Sequence, residues 1–291
     1  MRLDDMPESD NVEDRRGSGG GFGRPIMIGG GGLGVVGVII ALLLGVNPAQ
    51  LLGGQDQSGQ APDAQVGFQP GQQQARPDDP QLHFAAKVLG STEAVWGAEF
   101  QARGARYTPA VLVPYDGATQ TACGGGQAAM GPFYCPGDHR VYIDLSFFHE
   151  LSDRFGAPGQ FAQAYVVAHE VGHHVQALLG DTDRADQLAG RIGREGPRGT
   201  SVRVELQADC YAGVWANKAD ASEHILEAGD VEQGLAAANS VGDDTLQKQT
   251  RGRVVPDSFT HGTSAQRVRW FKRGLDSGNI ENCDTFGTDN L

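Results

Sequence analysis

His169, Glu170 and His173, in the run Ala168-His169-Glu170-Val171-Gly172-His173, carry the strongest chemical signal in the chain. Side chains four apart on an α-helix lie one above the other, so both imidazoles point the same way if the run is helical. Two imidazoles at that spacing can hold one zinc ion, and a carboxylate beside the first can handle a water on it. A catalytic zinc takes three protein ligands and keeps one position open. Glu205 is the leading candidate for the third, with His224 and His261 as alternatives. It lies in Glu205-Leu206-Gln207-Ala208-Asp209, within an apolar helical stretch where an uncompensated carboxylate would be costly. Asp209, one turn further on, can accept the second ring N–H of His169. Amide hydrolysis also needs a donor for the developing oxyanion. His261, in Ser258-Phe259-Thr260-His261-Gly262, is the candidate, and Arg267 is the alternative.

These residues need helices to hold them. Phe161, Ala164, Tyr165, Ala168, Val171, Val175 and Leu178 recur at helical spacing, which predicts a helix over Gln160–Leu179 ended by Gly180. Gly172 costs that helix about 1 kcal/mol relative to Ala, so a close backbone approach is expected there. His174 lies about 100° round from His173 and is not expected to be a ligand. A second long helix is expected over Ser201–Asn217, with Val204, Leu206, Ala208, Tyr211, Ala212 and Trp215 on its apolar side. Asp181–Gly199 reads as a loop with one helical stretch, and Glu223–Ala228 and Val231–Ala238 as further helices. Thr263-Ser264-Ala265-Gln266 is a capping box opening a last helix.

Upstream, Asp79-Pro80 starts one or two amphipathic helices ending at Gly104. Ala110–Val113, bracketed by prolines, reads as a strand of restricted pairing. His139–Leu145 alternates and reads as a half-buried strand, followed by a short helix over Phe147–Phe155. Gly124-Gly125-Gly126 lacks a following Gly-Lys-Ser/Thr, so it is read as a turn and not as a phosphate loop. His139, His149, Asp144 and Glu150 are read as ordinary polar residues.

The remainder of the chain sets the compartment. Met1–Arg24 is polar, Gly-rich and charged, and reads as a disordered cytoplasmic tail. Pro25–Gln55 carries no charge, and Pro25–Val46 is long enough for a transmembrane helix, which needs ~20 residues. Arginines lie on its N-terminal side, so the tail is expected inside and everything after Val46 outside. Residues 47–78, rich in Gln, Gly, Pro and Asp, read as a disordered linker, which leaves 79–291 as the folded domain. A formal charge of −13 and the lack of a basic stripe argue against a nucleic-acid partner. Four cysteines, at 123, 135, 210 and 283, follow the uncharged stretch. In an extracytoplasmic domain they suit two disulfides, with three pairings open. Cys123–Cys135 would close a short loop, and Cys210–Cys283 would tie a core helix to the C-terminal tail.

HEVGHH, ELQADCYAG, GPFYCPGDHRVYID and HGTSAQRV together resemble the bacterial neutral zinc metallopeptidases, over roughly Asp79 to Asp284 and with an N-terminal anchor. The Glu-x-x-x-Asp helix also resembles thermolysin- and neprilysin-like proteases. That resemblance implies Glu205 as a zinc ligand, Asp209 as support for His169 and, more weakly, a role for His261. It further implies an α+β, zincin-like fold with a mainly helical core and a small sheet whose edge strand holds an extended peptide; His139–Leu145 is the matching segment. The resulting expectation is a membrane-anchored zinc metallopeptidase acting on protein or peptide substrates, with Glu170 as general base. A non-catalytic adaptor with a structural zinc, and a zinc amidase on a non-peptide substrate, are the alternatives.

Overall fold

The described domain begins with helix α1 (Pro80–Ala102), capped by Asp79, whose carboxylate accepts hydrogen bonds from the Gln81 and Leu82 amides. The structure is a computed structural model that describes residues 1–17 and 78–291. After α1 come the short strands β1 (Val111–Pro114), β2 (Ala118–Thr121), β3 (Gly124–Gln127), β4 (Phe133–Cys135) and β5 (Arg140–Ile143). β5 lies between β1, to which it is parallel, and β4, to which it is antiparallel; β2 and β3 form a separate antiparallel pair. The rest is helical: α2 (Phe147–Asp153), α3 (Gln160–Leu179), α4 (Asp181–Ile192), α5 (Thr200–Glu223), α6 (Asp230–Ser240), α7 (Asp243–Arg251) and α8 (Ser264–Ser277). The chain is thus α+β, mainly helical with a small sheet.

α3 is the central helix, buried along most of its length, and it ends at Gly180 in the left-handed conformation. α5 lies directly against it. A Cβ on Gly172 would fall 3.0 Å from the Ala208 carbonyl oxygen, so the missing side chain sets how closely the two helices approach. Ala208 sits beside Asp209 and one turn after Glu205, so this approach brings the acidic helix to the histidines. α8 packs along α5, reaches α3 with Phe271 against Tyr165, and opens with the expected capping box at Thr263 and Gln266. A disulfide between Cys210 and Cys283 fastens α5 to the C-terminal segment, and a second, Cys123–Cys135, closes the loop before β4.

Several expectations need correction. Gly124–Gly126 is not a turn but strand β3. Its lack of side chains makes room for a ring, since a Cβ on Gly126 would lie 2.6 Å from Phe133 Cζ. His139–Leu145 does not form the edge strand, because both edges of Arg140–Ile143 are paired; the outer strand on that side is β4. No helix forms over 224–228, because the Asp220 carboxylate accepts the Leu226 amide and His224 turns the chain with φ 55°. β1 is paired on both edges, because Val12 bridges to Leu112 in parallel register. Residues 1–17, expected in a disordered tail, therefore lie against the domain, held by backbone hydrogen bonds to a sheet edge and by ion pairs that low apolar content does not preclude. The expected span Pro25–Val46 and the expected linker up to residue 77 lie outside the described residues. Among the described residues, no helix is long and apolar enough to cross a membrane.

Candidate metal centre

His169 and His173 leave α3 one turn apart, facing Glu205 on α5. The His169 Nε2 lies 3.3 Å from Glu205 Oε2, and the His173 Nε2 lies 3.5 Å from Glu205 Oε1. The three ligating atoms lie within 4.8 Å of one another. The far sides of both rings are taken. His169 Nδ1 lies 3.0 Å from Asp209 Oδ1, and His173 Nδ1 lies 2.8 Å from Gln176 Oε1. Gln176 is itself oriented by donating to the Val204 carbonyl and to Gln207 Oε1. With an oxygen acceptor on each Nδ1, the neutral form of each ring keeps its proton there and leaves the Nε2 lone pair for the space shared with Glu205.

The electrostatics fit a cation. Burial lowers the basicity of His169, but hydrogen bonds to the Asp209 and Glu205 carboxylates outweigh it and raise the imidazole to about 9. Burial raises Glu205, yet His173, His261 and His169 hold it well below the usual carboxylate range. Asp209 is fully buried and is also held low, chiefly by Arg267. Arg267 reaches Asp209 through Nε and Nη2, each at 2.8 Å, and its Nη2 lies 3.8 Å from Glu205. Tyr165 donates its hydroxyl hydrogen bond to Asp209 as well. With the rings neutral, Glu170, Glu205 and Asp209 face one guanidinium, a negative excess that a divalent ion would balance. Glu205 Oε2 is buried and faces only the His169 Nε2 at 3.3 Å and the Arg267 Nη2 at 3.8 Å, with no hydrogen bond of good geometry, which leaves it available to a metal. The donor set of two imidazoles and one carboxylate suits zinc with an open fourth position.

Glu170 is 4% exposed and sits next to this cluster; burial raises its carboxyl, only partly offset by His169 and His173. It lines a cavity of about 50 Å³ with His169, His261 and Arg267, whose remaining wall is apolar and includes Phe147, Leu151, Phe155, Val166 and Leu246. His261 is 3% exposed; its Nδ1 lies 3.2 Å from Asp243 Oδ1, while its Nε2 is buried without a partner. The Asp243 carboxylate also accepts the backbone amides of Thr260, His261 and Gly262, which fixes the loop. His261 is outside the three-residue ligand group. His224 is exposed at the end of α5 and also stands outside it. Arg267, the alternative oxyanion donor, has its guanidinium committed to Asp209. His139 and His149 are exposed, and Asp144 accepts the Gly117 and Ser146 amides.

Sequence reasoning missed Tyr165, Gln176 and Asp243. Tyr165 precedes His169 by four residues and Gln176 follows His173 by three, so helical spacing was the available signal. Asp243 had none, because it reaches His261 only through the fold.

The chain resembles known proteins along nearly its whole length. It matches the protein family described as "Putative neutral zinc metallopeptidase" over residues 1–286. It is 48% identical over 293 residues to "Uncharacterized protein YpfJ" of Escherichia coli K12, covering 99% of each chain. It is 41% identical over 267 residues to "Uncharacterized protein Rv2575" of Mycobacterium tuberculosis, covering 86% of each. No solved structure matches it. With the match spanning nearly the full length and the histidine–glutamate cluster intact, the chain belongs to the neutral zinc metallopeptidase family.

Proposed function

We propose that this protein is a zinc-dependent metallopeptidase that hydrolyses peptide bonds, with His169, His173 and Glu205 holding the metal and Glu170 as general base. The observation that carries this reading is the three-ligand cluster with Glu170 beside it at the wall of an apolar cavity. When bound, the zinc ion supplies Lewis acidity and a water that is nucleophilic near neutral pH. Glu170 takes the proton of the attacking water and passes it to the leaving amine, a task suited to a carboxyl whose proton affinity burial has raised. Asp209 and Gln176 keep the two imidazoles in the ligating tautomer. His261 lines the same cavity and has a buried Nε2 without a hydrogen-bond partner, which makes it our candidate to meet the oxyanion.

The apolar cavity accepts a small aliphatic side chain next to the scissile bond. β4, the outer strand of the sheet, leads from Pro132 at the cavity wall, and a peptide can add to it as a further strand. The two disulfides support an oxidising, extracytoplasmic compartment. A purely structural zinc would have a closed fourth position, and no fourth protein ligand joins the group among the described residues.

The Glu170→Gln variant tests the reading. It should keep zinc at the wild-type stoichiometry and lose cleavage of an unfolded protein by about 10²–10⁴-fold. Full cleavage by that variant would remove Glu170 from the reaction. Loss of zinc along with activity would place it among the ligands.

A further inference from the structure

We infer that residues 1–17 and the metal-bearing domain lie on the same, extracytoplasmic side of the membrane, joined as one folded unit. The N-terminal segment is not laid loosely on the surface. Arg2 donates its amide to the Ile225 carbonyl at 2.8 Å, and Ser9 donates to Ala86 at 3.0 Å. Further on, Leu112 donates to Asn11, Glu13 to Leu112 and Arg15 to Pro114, each at 2.9 Å, so the segment continues the sheet beyond β1. Leu3 is 5% exposed within the main core. Ion pairs accompany these bonds: Met1 with Glu227 and Asp230, Glu13 with Arg140, and Arg16 with Asp79. The contacts extend from the end of α5 across α1 to β5.

The domain is shaped to receive the segment. Gly90 stands in the middle of α1, where a glycine costs a helix about 1 kcal/mol relative to Ala. A Cβ there would fall 2.7 Å from the Pro7 carbonyl oxygen and 3.2 Å from the Ser9 amide nitrogen. The glycine is therefore required by the passage of the N-terminal backbone over the helix. The family match, which spans residues 1–286, includes the same segment.

This packing conflicts with a single membrane pass. One crossing within the uncharged stretch Pro25–Gln55 would put residues 1–17 and 78–291 on opposite faces, ~30 Å of hydrocarbon apart. None of these hydrogen bonds could then form within one chain. Two helical crossings would need ~40 apolar residues, more than the stretch provides. The contacts of residues 1–17 therefore require them to share one side of the membrane with residues 78–291. The disulfides set which face, since they persist where the environment is oxidising.

The test uses the full chain in native membranes. A cleavage site for a sequence-specific protease is inserted after Gly17 in one strain and after the exposed Asp78 in another. Protease added to intact spheroplasts should cut both. Cutting at only one site, or at neither before lysis, would overturn the proposal. In the same membranes, a zero-length carbodiimide should couple the Met1 amine to Glu227 or Asp230, read as a joined peptide by mass spectrometry. Gly90→Leu should abolish that peptide while zinc content stays at the wild-type level. Absence of the joined peptide from wild-type membranes would equally overturn the docked arrangement.

Discussion

The two faces of α3 treat histidine in opposite ways. On one face, His169 is 5% exposed and looks at Asp209, Glu205 and Arg267, and its imidazole is raised to about 9. On the other, His174 is fully buried towards the sheet. It donates from Nε2 to the Thr108 carbonyl at 2.6 Å and accepts at Nδ1 from the Tyr134 hydroxyl at 3.1 Å. Burial, only partly offset by the Thr108 carbonyl, pushes this imidazole down to about 4. Burial by itself favours the neutral ring in both places; only partnered carboxylates reverse it. The face that can hold positive charge is thus the one that carries the candidate ligands, and the other is a neutral part of the core.

This contrast can be broken at several points. The largest effect is expected from Glu205→Ala, which removes the only carboxylate among the three candidate ligands. Elemental analysis should find no stoichiometric zinc, and unchanged zinc would move the third ligand elsewhere. Asp209→Ala should come next. It leaves the buried Arg267 without its main partner and His169 without its acceptor, costing about 3–5 kcal/mol of stability and about 10–100-fold in zinc affinity. A loss below ~1 kcal/mol in urea denaturation would mean that the charges on this face are not coupled as the geometry implies.

The neutral face makes a prediction about pH. Because the folded value of His174 lies below the ordinary 6.5, the unfolded chain takes up this proton first as the solution is acidified. Its contribution is fully present above pH 6.5 and is lost as pH falls towards 4, a difference of about 3 kcal/mol. His174→Gln should fold with a shallower acid dependence over that window, measured by urea midpoints at successive pH values. Equal slopes for variant and wild type would show that His174 does not titrate as described. The smallest effect is expected for Gln176→Ala, which frees the ring of His173 but removes no charge. Chelator competition should show zinc held about tenfold more weakly. A loss as large as that of Asp209→Ala would erase the distinction between a neutral and a charged support.

Much of this face was legible beforehand, because α-helical spacing is a local property. His169 and His173 share a face for the same reason that Glu205 and Asp209 do, and Gly172 marked the contact between their helices before the partner was known. The sheet was less legible. Its strands run only three or four residues, too short for periodicity to fix pairing, so Arg140–Ile143 was readable as a strand but not as the central one. Residues 1–17 were misread because their composition predicts little core, whereas they are held through backbone groups that composition does not report.

The sequence by itself determined the metal motif, the helices that carry it, the capping box at Thr263 and the even set of cysteines. Each of these depends on neighbours within a few residues or on residue type alone. Only the tertiary structure brought Glu205, and neither His224 nor His261, together with His169 and His173 in the group that could hold a metal ion. It likewise assigned Arg267 to Asp209, placed His261 at the cavity wall and brought the N-terminus onto β1. Those outcomes depend on which helix faces and sheet edges come within a few ångströms of one another, a matter of packing across long sequence separations that spacing along the chain does not encode.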